Sequence, residues 1–143
     1  MKIRVINGPN LNMLGLREPE IYGCGSYADL VAFIEESARE LDMEAECMQS
    51  NCEGEIVTWI QQARGVADAI VINPAAYTHT SVAILDALLA VNLPAVEVHL
   101  SDVNSREEFR RVSYSAMACK KVIAGKRFEG YKLAMEFLRK ENF

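Results

Sequence analysis

Short apolar runs and helix-like stretches alternate along this chain, and that alternation limits the folds open to it more than any other feature. Ile3–Ile6, Ala45–Met48, Ala69–Asn73, Ala95–His99 and Lys121–Ala124 read as strands. IRVI, AIVIN and AVEVH are rich in Val and Ile, as strands covered on both faces tend to be. Strands separated by helices pair in parallel through right-handed crossovers. The pattern therefore predicts an α/β architecture, a doubly wound parallel sheet between two layers of helices.

The intervening segments fit that plan. Ser26 to Leu41 carries Leu30, Phe33, Ile34, Ala38 and Leu41 on one stripe, and Ser26 with Asp29 resembles a capping box with Asp in place of Glu. Glu55 to Arg64 places Ile56, Trp59, Ile60 and Ala63 together and stops at Gly65. Ser81 to Val91 is apolar nearly all round, which predicts burial. Gly130 to Lys140 ends in Arg139 and Lys140, charges that suit a helix C-terminus. A short helix is expected near Arg106. With five strands, the favoured order is the flavodoxin-like 2-1-3-4-5 in a three-layer α/β/α arrangement. The 143 residues show no repeat or linker and suit one domain spanning 1-143.

Charge and cysteine usage remove several function classes. A net charge of −5 argues against a general nucleic-acid binder, which would carry a basic stripe. MKIRVINGPN turns polar too soon for a signal peptide, and no apolar run approaches membrane-spanning length. A cytoplasmic protein is expected. Cys24, Cys47, Cys52 and Cys119 form no C-x-x-C pair, and His79 and His99 are distant from them in sequence. Four reduced thiols are expected, and no zinc site.

The polar residues concentrate after the strands. NGPNLN, QSNCEGE, NPAAYTHTS, HLSDVNSRE and GKRFEG follow strands one to five in turn. Ligands of open α/β sheets bind beyond the carboxyl ends of the strands. Helix caps and turns explain some Asn, Ser and Thr there. They do not explain two histidines with Arg17, Tyr22 and Arg110 on or near the same edge.

Glu97, His99 and Ser101 alternate, so on a strand they share a face. A carboxylate beside an imidazole fixes its tautomer and raises its basicity. Ser101, at the strand end, could hold an anion through its hydroxyl and backbone N–H. His79 fits either a loop hydrogen bond or a substrate contact. Arg17 and Tyr22 lie in a long loop, where a guanidinium would favour the phenolate. GCGSYA matches a dinucleotide pattern but does not follow a strand directly. Ser81 or Ser101 could be imagined in a hydrolase, yet no G-x-S-x-G elbow is present. These residues by themselves point to acid–base chemistry, without metal, on a polar and anionic molecule.

NGPNLNMLGLREPEIYG, QSN-x-EGE, INP-x-AYTHTSVA and EVHLS-x-V-x-x-REEFR, in unbroken order over nearly the whole chain, resemble type II 3-dehydroquinate dehydratase. That family of the shikimate and quinate pathways has the flavodoxin-like fold and forms a dodecamer of trimers. The resemblance implies a cofactor-free hydro-lyase that removes water from 3-dehydroquinate through an enolate. It implies that Tyr22 is the base and that Arg17, on a mobile lid, favours its ionised form. His99 would be the general acid, oriented by Glu97, and Asn10 would position a water at the enolate oxygen. Leu100 and Ser101 would bind the carboxylate, while Asn73, His79 and Arg110 hold ring hydroxyls. Asp86 would reach a neighbouring subunit's site. The chain departs from the family pattern at Cys52, at Ala75 where glycine is usual, at Lys126 and Arg127 where a glycine-containing turn is common, and at Asn104 and Asp102, the charge of Asp102 being expected to weaken substrate binding.

Overall fold

A computed structural model describes residues 1–16 and 25–143. Its five parallel strands are β1 (Lys2–Asn7), β2 (Glu44–Gln49), β3 (Ala69–Asn73), β4 (Ala95–His99) and β5 (Lys121–Ala124). They lie in the order β2-β1-β3-β4-β5, as the alternation predicts. Two expected strands gain a residue at each end. Four α-helices cover the sheet: α1 (Tyr27–Glu40), α2 (Glu53–Gln62), α3 (Val82–Val91) and α4 (Glu129–Glu141).

Strand alternation divides the core into two layers. Ile3 and Val5 of β1, Val71 of β3, and Val96 and Val98 of β4 face Leu30 and Ile34 of α1 and Met135 and Leu138 of α4. Ile6, Ile70 and Ile72 face the other way, onto Ile56 and Ile60 of α2 and Ile84 and Leu88 of α3. The central strands β3 and β4 are buried along their whole length, which is why they are rich in Val and Ile, with Asn73, Glu97 and His99 as buried polar exceptions toward their ends. Arg4 is buried because its guanidinium is satisfied: Nη2 donates to Glu46 Oε2 at 2.8 Å and Nη1 to the Trp59 carbonyl at 3.1 Å. The capping box forms, with Asp29 N–H donating to Ser26 Oγ and Ser26 N–H to Asp29 Oδ2.

Two expectations meet the fold differently. Within the single chain the helix after β3 is buried on one stripe only: Ile84, Ala87 and Leu88 of α3 are buried, but Val82 and Leu89 stand 49% and 58% exposed. One sheet face absorbs only one stripe of a helix, and apolar composition on the far stripe does not create a cover for it. Near Arg106 there is no α-helix. Three 3-10 turns replace it, Val103–Ser105, Glu108–Arg110 and Ser115–Ala118. Local polar groups capture the backbone there: Asp102 Oδ1 accepts from Asn104 N–H, and Ser105 Oγ donates to the Asp102 carbonyl.

Ala75 and Arg127, two of the departures from the family pattern, both adopt left-handed backbone, with φ of 53° and 52°. A side chain in that region crowds its own carbonyl at a cost of roughly 1–2 kcal/mol, whereas glycine does not. Gly8 is constrained differently: an added Cβ would lie 2.5 Å from the Pro74 carbonyl oxygen. Ala75→Gly should therefore raise unfolding free energy by about 1 kcal/mol, and Gly8→Ala should lower it. Urea melts of the two variants check this; an unchanged midpoint for Ala75→Gly would show that the surroundings already absorb the strain.

Candidate active site

Parallel pairing brings all the strand-terminal loops to one edge, where the ends of β1, β3 and β4 lie side by side. Gly8 N–H donates to the Asn73 carbonyl at 2.8 Å, locking the loop after β1 to the end of β3. Asn10 turns the chain with a left-handed φ of 69°, a conformation Asn tolerates well, and its N–H donates to Asn51 Oδ1 at 3.0 Å. After β4, the Arg127 N–H donates to the Leu100 carbonyl and the Gly125 N–H to that of Ser101. The loop beyond β5 thus fixes the segment that follows His99.

These loops enclose a cleft of about 150 Å³. Asn10, Asn73, His79, His99, Leu100, Ser101 and Arg110 all line it, so seven of the residues singled out in the sequence converge. Glu97 lies behind His99. Asp86 is exposed on α3 and does not line the cleft. Arg17 and Tyr22 lie outside the described residues. Among the described residues, no three His, Cys, Asp or Glu side chains gather to hold a metal ion, and no helix is long and apolar enough to cross a membrane.

The Glu97–His99 pair forms as the alternation predicts, with Nε2 2.6 Å from Glu97 Oε1. Glu97 is fully buried. Burial alone would push its carboxyl up, but hydrogen bonds from His99, Ser115 and Ser113, with the charge His99 can carry, outweigh it and hold the carboxyl below the usual range. Ser113 Oγ donates to Oε1 at 2.8 Å, and Ser115 Oγ donates to Oε2. An ionised carboxylate only accepts, so His99 must present Nε2–H to it. Nδ1 is left as the nitrogen that can exchange a proton with a ligand. His79 is fixed in the opposite sense: its Nδ1–H donates to the Val112 carbonyl at 2.7 Å while the ring lines the cleft. Both roles left open for it in the sequence are thus compatible.

Arg110 Nε donates to Glu107 Oε2 at 2.7 Å, which holds its guanidinium at the rim. Arg106 also lines the cleft, 4.0 Å from the same carboxylate, and was not singled out in the sequence. Two arginines lining the same cleft as Ser101 suit an anionic ligand. Asp102 turns its carboxylate onto the Asn104 N–H at 3.1 Å, capping its own turn instead of opposing an anion at Ser101. Ser113 and Ser115 also escaped the sequence reading. They sit in irregular backbone with no periodic pattern to mark them; a buried strand glutamate needing donors was the available signal.

Because Glu97 is more acidic in the folded chain than its unfolded value of about 4.3, its stabilising contribution is present above that pH and fades as pH falls through the folded value. Ser115→Ala removes a donor to the carboxylate and raises its folded pKa. Acid unfolding followed by circular dichroism should then begin at higher pH than in the unaltered protein. An identical acid midpoint would mean that Ser115 does not hold the charge.

Comparison with known proteins places this geometry in context. Residues 1–139 match the family model described as dehydroquinase class II. The chain is 52% identical over 139 residues to a 3-dehydroquinate dehydratase of Clostridium acetobutylicum, covering 97% of this chain and 96% of the relative. It is 55% identical over 136 residues to a catabolic 3-dehydroquinase of Verticillium alfalfae, covering 95% and 91%. Among solved structures it superposes on a type II dehydroquinase from Butyrivibrio crossotus with a TM-score of 0.95, at 50% identity and 97% coverage of both chains.

Proposed function

Because this chain belongs to the dehydroquinase class II family and is a 3-dehydroquinate dehydratase of type II, a hydro-lyase, we propose that Tyr22 serves as its base and His99 as its acid. The Tyr22 phenolate takes a proton from C2 of 3-dehydroquinate, and the electrons of that C–H bond pass to the adjacent ketone, giving an enolate. The enolate then collapses, the C1–O bond breaks, and His99 delivers a proton to the departing hydroxyl. Water and 3-dehydroshikimate result.

The observation that carries this reading is the 2.6 Å contact between His99 and a buried, ionised Glu97 at the wall of the cleft. A carboxylate behind the ring stabilises the imidazolium that an acid must be before it gives up its proton. Arg17, five residues before Tyr22, supplies the charge that favours the phenolate. Asn10 positions a water for the enolate oxygen. Leu100 and Ser101 hold the carboxylate, and Asn73, His79 and Arg110 hold the ring hydroxyls; all six line the same cleft as His99, which supports these assignments. None of these steps calls on a cofactor.

Adding 3-dehydroquinate to the protein should generate a conjugated enone with rising near-ultraviolet absorbance. Tyr22→Phe keeps the ring and removes the proton acceptor, so kcat should fall by roughly 10²–10⁴ with substrate still bound. Retention of more than about a tenth of kcat would move the base elsewhere.

We also propose that the chain works as a homo-oligomer, trimers assembling to a dodecamer, in the cytoplasm, where its cysteines stay reduced. Exposed Val82 and Leu89 on α3, with Met117 67% exposed nearby in sequence to the buried Ser115, supply uncovered apolar surface for a subunit contact. Asp86 is exposed on the same helix, suited to complete a neighbour's site. Asp86→Ala should weaken both assembly and turnover. Mixing it with Arg17→Gln subunits, which retain Asp86, should restore part of the activity in hybrid trimers. Light scattering with an activity titration decides, and fully active Asp86→Ala monomers would end the shared-site proposal.

A further inference from the structure

The face of the sheet opposite Glu97 carries a second buried polar cluster, in which Asn73 is joined to two residues, Asn7 and Tyr131, that have no part in the reaction above. Asn7 and Asn73 are register partners at the ends of β1 and β3, and both are buried on the side covered by α4. Between them sits the hydroxyl of Tyr131, a fully buried residue of the first turn of α4. Its single proton goes to Asn7 Oδ1 at 2.6 Å, and it accepts from Asn73 Nδ2 at 3.1 Å. On its other side, Asn73 Oδ1 accepts the Ala75 N–H at 3.1 Å. Gly130 lets the helix reach this position: a Cβ there would lie 3.2 Å from Val98 Cγ1.

Packing does not explain the arrangement. Phe would fill the volume of Tyr131, and Val or Ile occupies the neighbouring interior positions of β1 and β3. Burying amides costs free energy unless each atom is well bonded, and among the described residues Asn7 Nδ2 makes no hydrogen bond of good geometry, although the Tyr27 hydroxyl lies close enough to interact with the Asn7 side chain. The cluster therefore carries a stability cost that an apolar trio would avoid. What it provides is direction. With the hydroxyl proton committed to Asn7, Tyr131 can only accept from Asn73, so it holds Nδ2 while the Ala75 N–H holds Oδ1, and the two ends of Asn73 cannot exchange places. Asn73 also lines the cleft. Burial pushes the Tyr131 phenol far above its ordinary range, so it stays a neutral donor at any working pH.

We propose that Tyr131 is a positioning residue for substrate, acting through Asn73: it fixes which end of the Asn73 amide faces the ring hydroxyls, and Asn7 fixes the direction of Tyr131. The inference rests on the substrate-binding role assigned to Asn73 above. Steady-state kinetics of Tyr131→Phe, Asn73→Ala and the double variant test it, with thermal melts in parallel. Tyr131→Phe should raise KM for 3-dehydroquinate by roughly tenfold with kcat changed far less, and should add nothing in the Asn73→Ala background. An equal rise in both backgrounds would make Tyr131 a purely structural residue and overturn the proposal. A raised KM for Asn73→Ala with an unchanged KM for Tyr131→Phe would overturn it while leaving the Asn73 assignment standing. An unchanged KM for Asn73→Ala would remove that assignment and the proposal together. Should Tyr131→Phe fail to fold, Asn7→Ala, which removes the acceptor of the phenol proton and so releases the hydroxyl from its fixed direction, reads the same coupling.

Discussion

Parallel pairing is the constraint from which the rest of this molecule follows. A parallel sheet cannot be closed by hairpins, so every strand must be followed by a crossover that covers one face or the other. Both faces are consequently dry, and every strand ends at the same edge. The side chains at that edge are half in the core and half in the cleft. They can be held from behind by buried groups while their other atoms meet a ligand. His99 is held in this way from the α2–α3 side and Asn73 from the α4 side, so the two walls of the sheet each anchor a cleft residue.

The two anchors differ in kind. Glu97 is a charge kept in the interior by three donors, and it acts electrostatically on the ring it touches. Tyr131 is neutral and acts by geometry alone, through the direction of one O–H bond. A charge can be sensed over several ångströms, whereas a hydroxyl matters only to the atoms it contacts. Loss of the first should therefore alter chemistry at His99, and loss of the second should alter fit.

Much of this was legible in the sequence, and the reasons are physical. Strand runs such as AIVIN and AVEVH announce two-sided burial, and the alternation of Glu97 with His99 announces a shared face before any partner is known. The Ser26–Asp29 box is legible because its chemistry is local. What escaped notice depends on tertiary closure. Ser113 and Ser115 reach Glu97 from 16 and 18 residues downstream, through irregular backbone. Tyr131 lies at the start of the last expected helix with nothing local to single it out, and only the fold reveals that its hydroxyl lands between two asparagines 124 and 58 residues away. The far stripe of α3 illustrates a related point: composition states how much surface should be buried, and within the single chain only one stripe finds its cover.

The uncovered stripe on α3 would tie folding to mass action in the proposed oligomer. A second copy covering Val82 and Leu89 would bind the native chain and have no purchase on the unfolded one, so it would draw the folding equilibrium toward the native side. Dilution would then act as a mild denaturant. The melting temperature would be a property of the solution as well as of the sequence, and values taken at different protein concentrations would describe different mixtures of the same molecule.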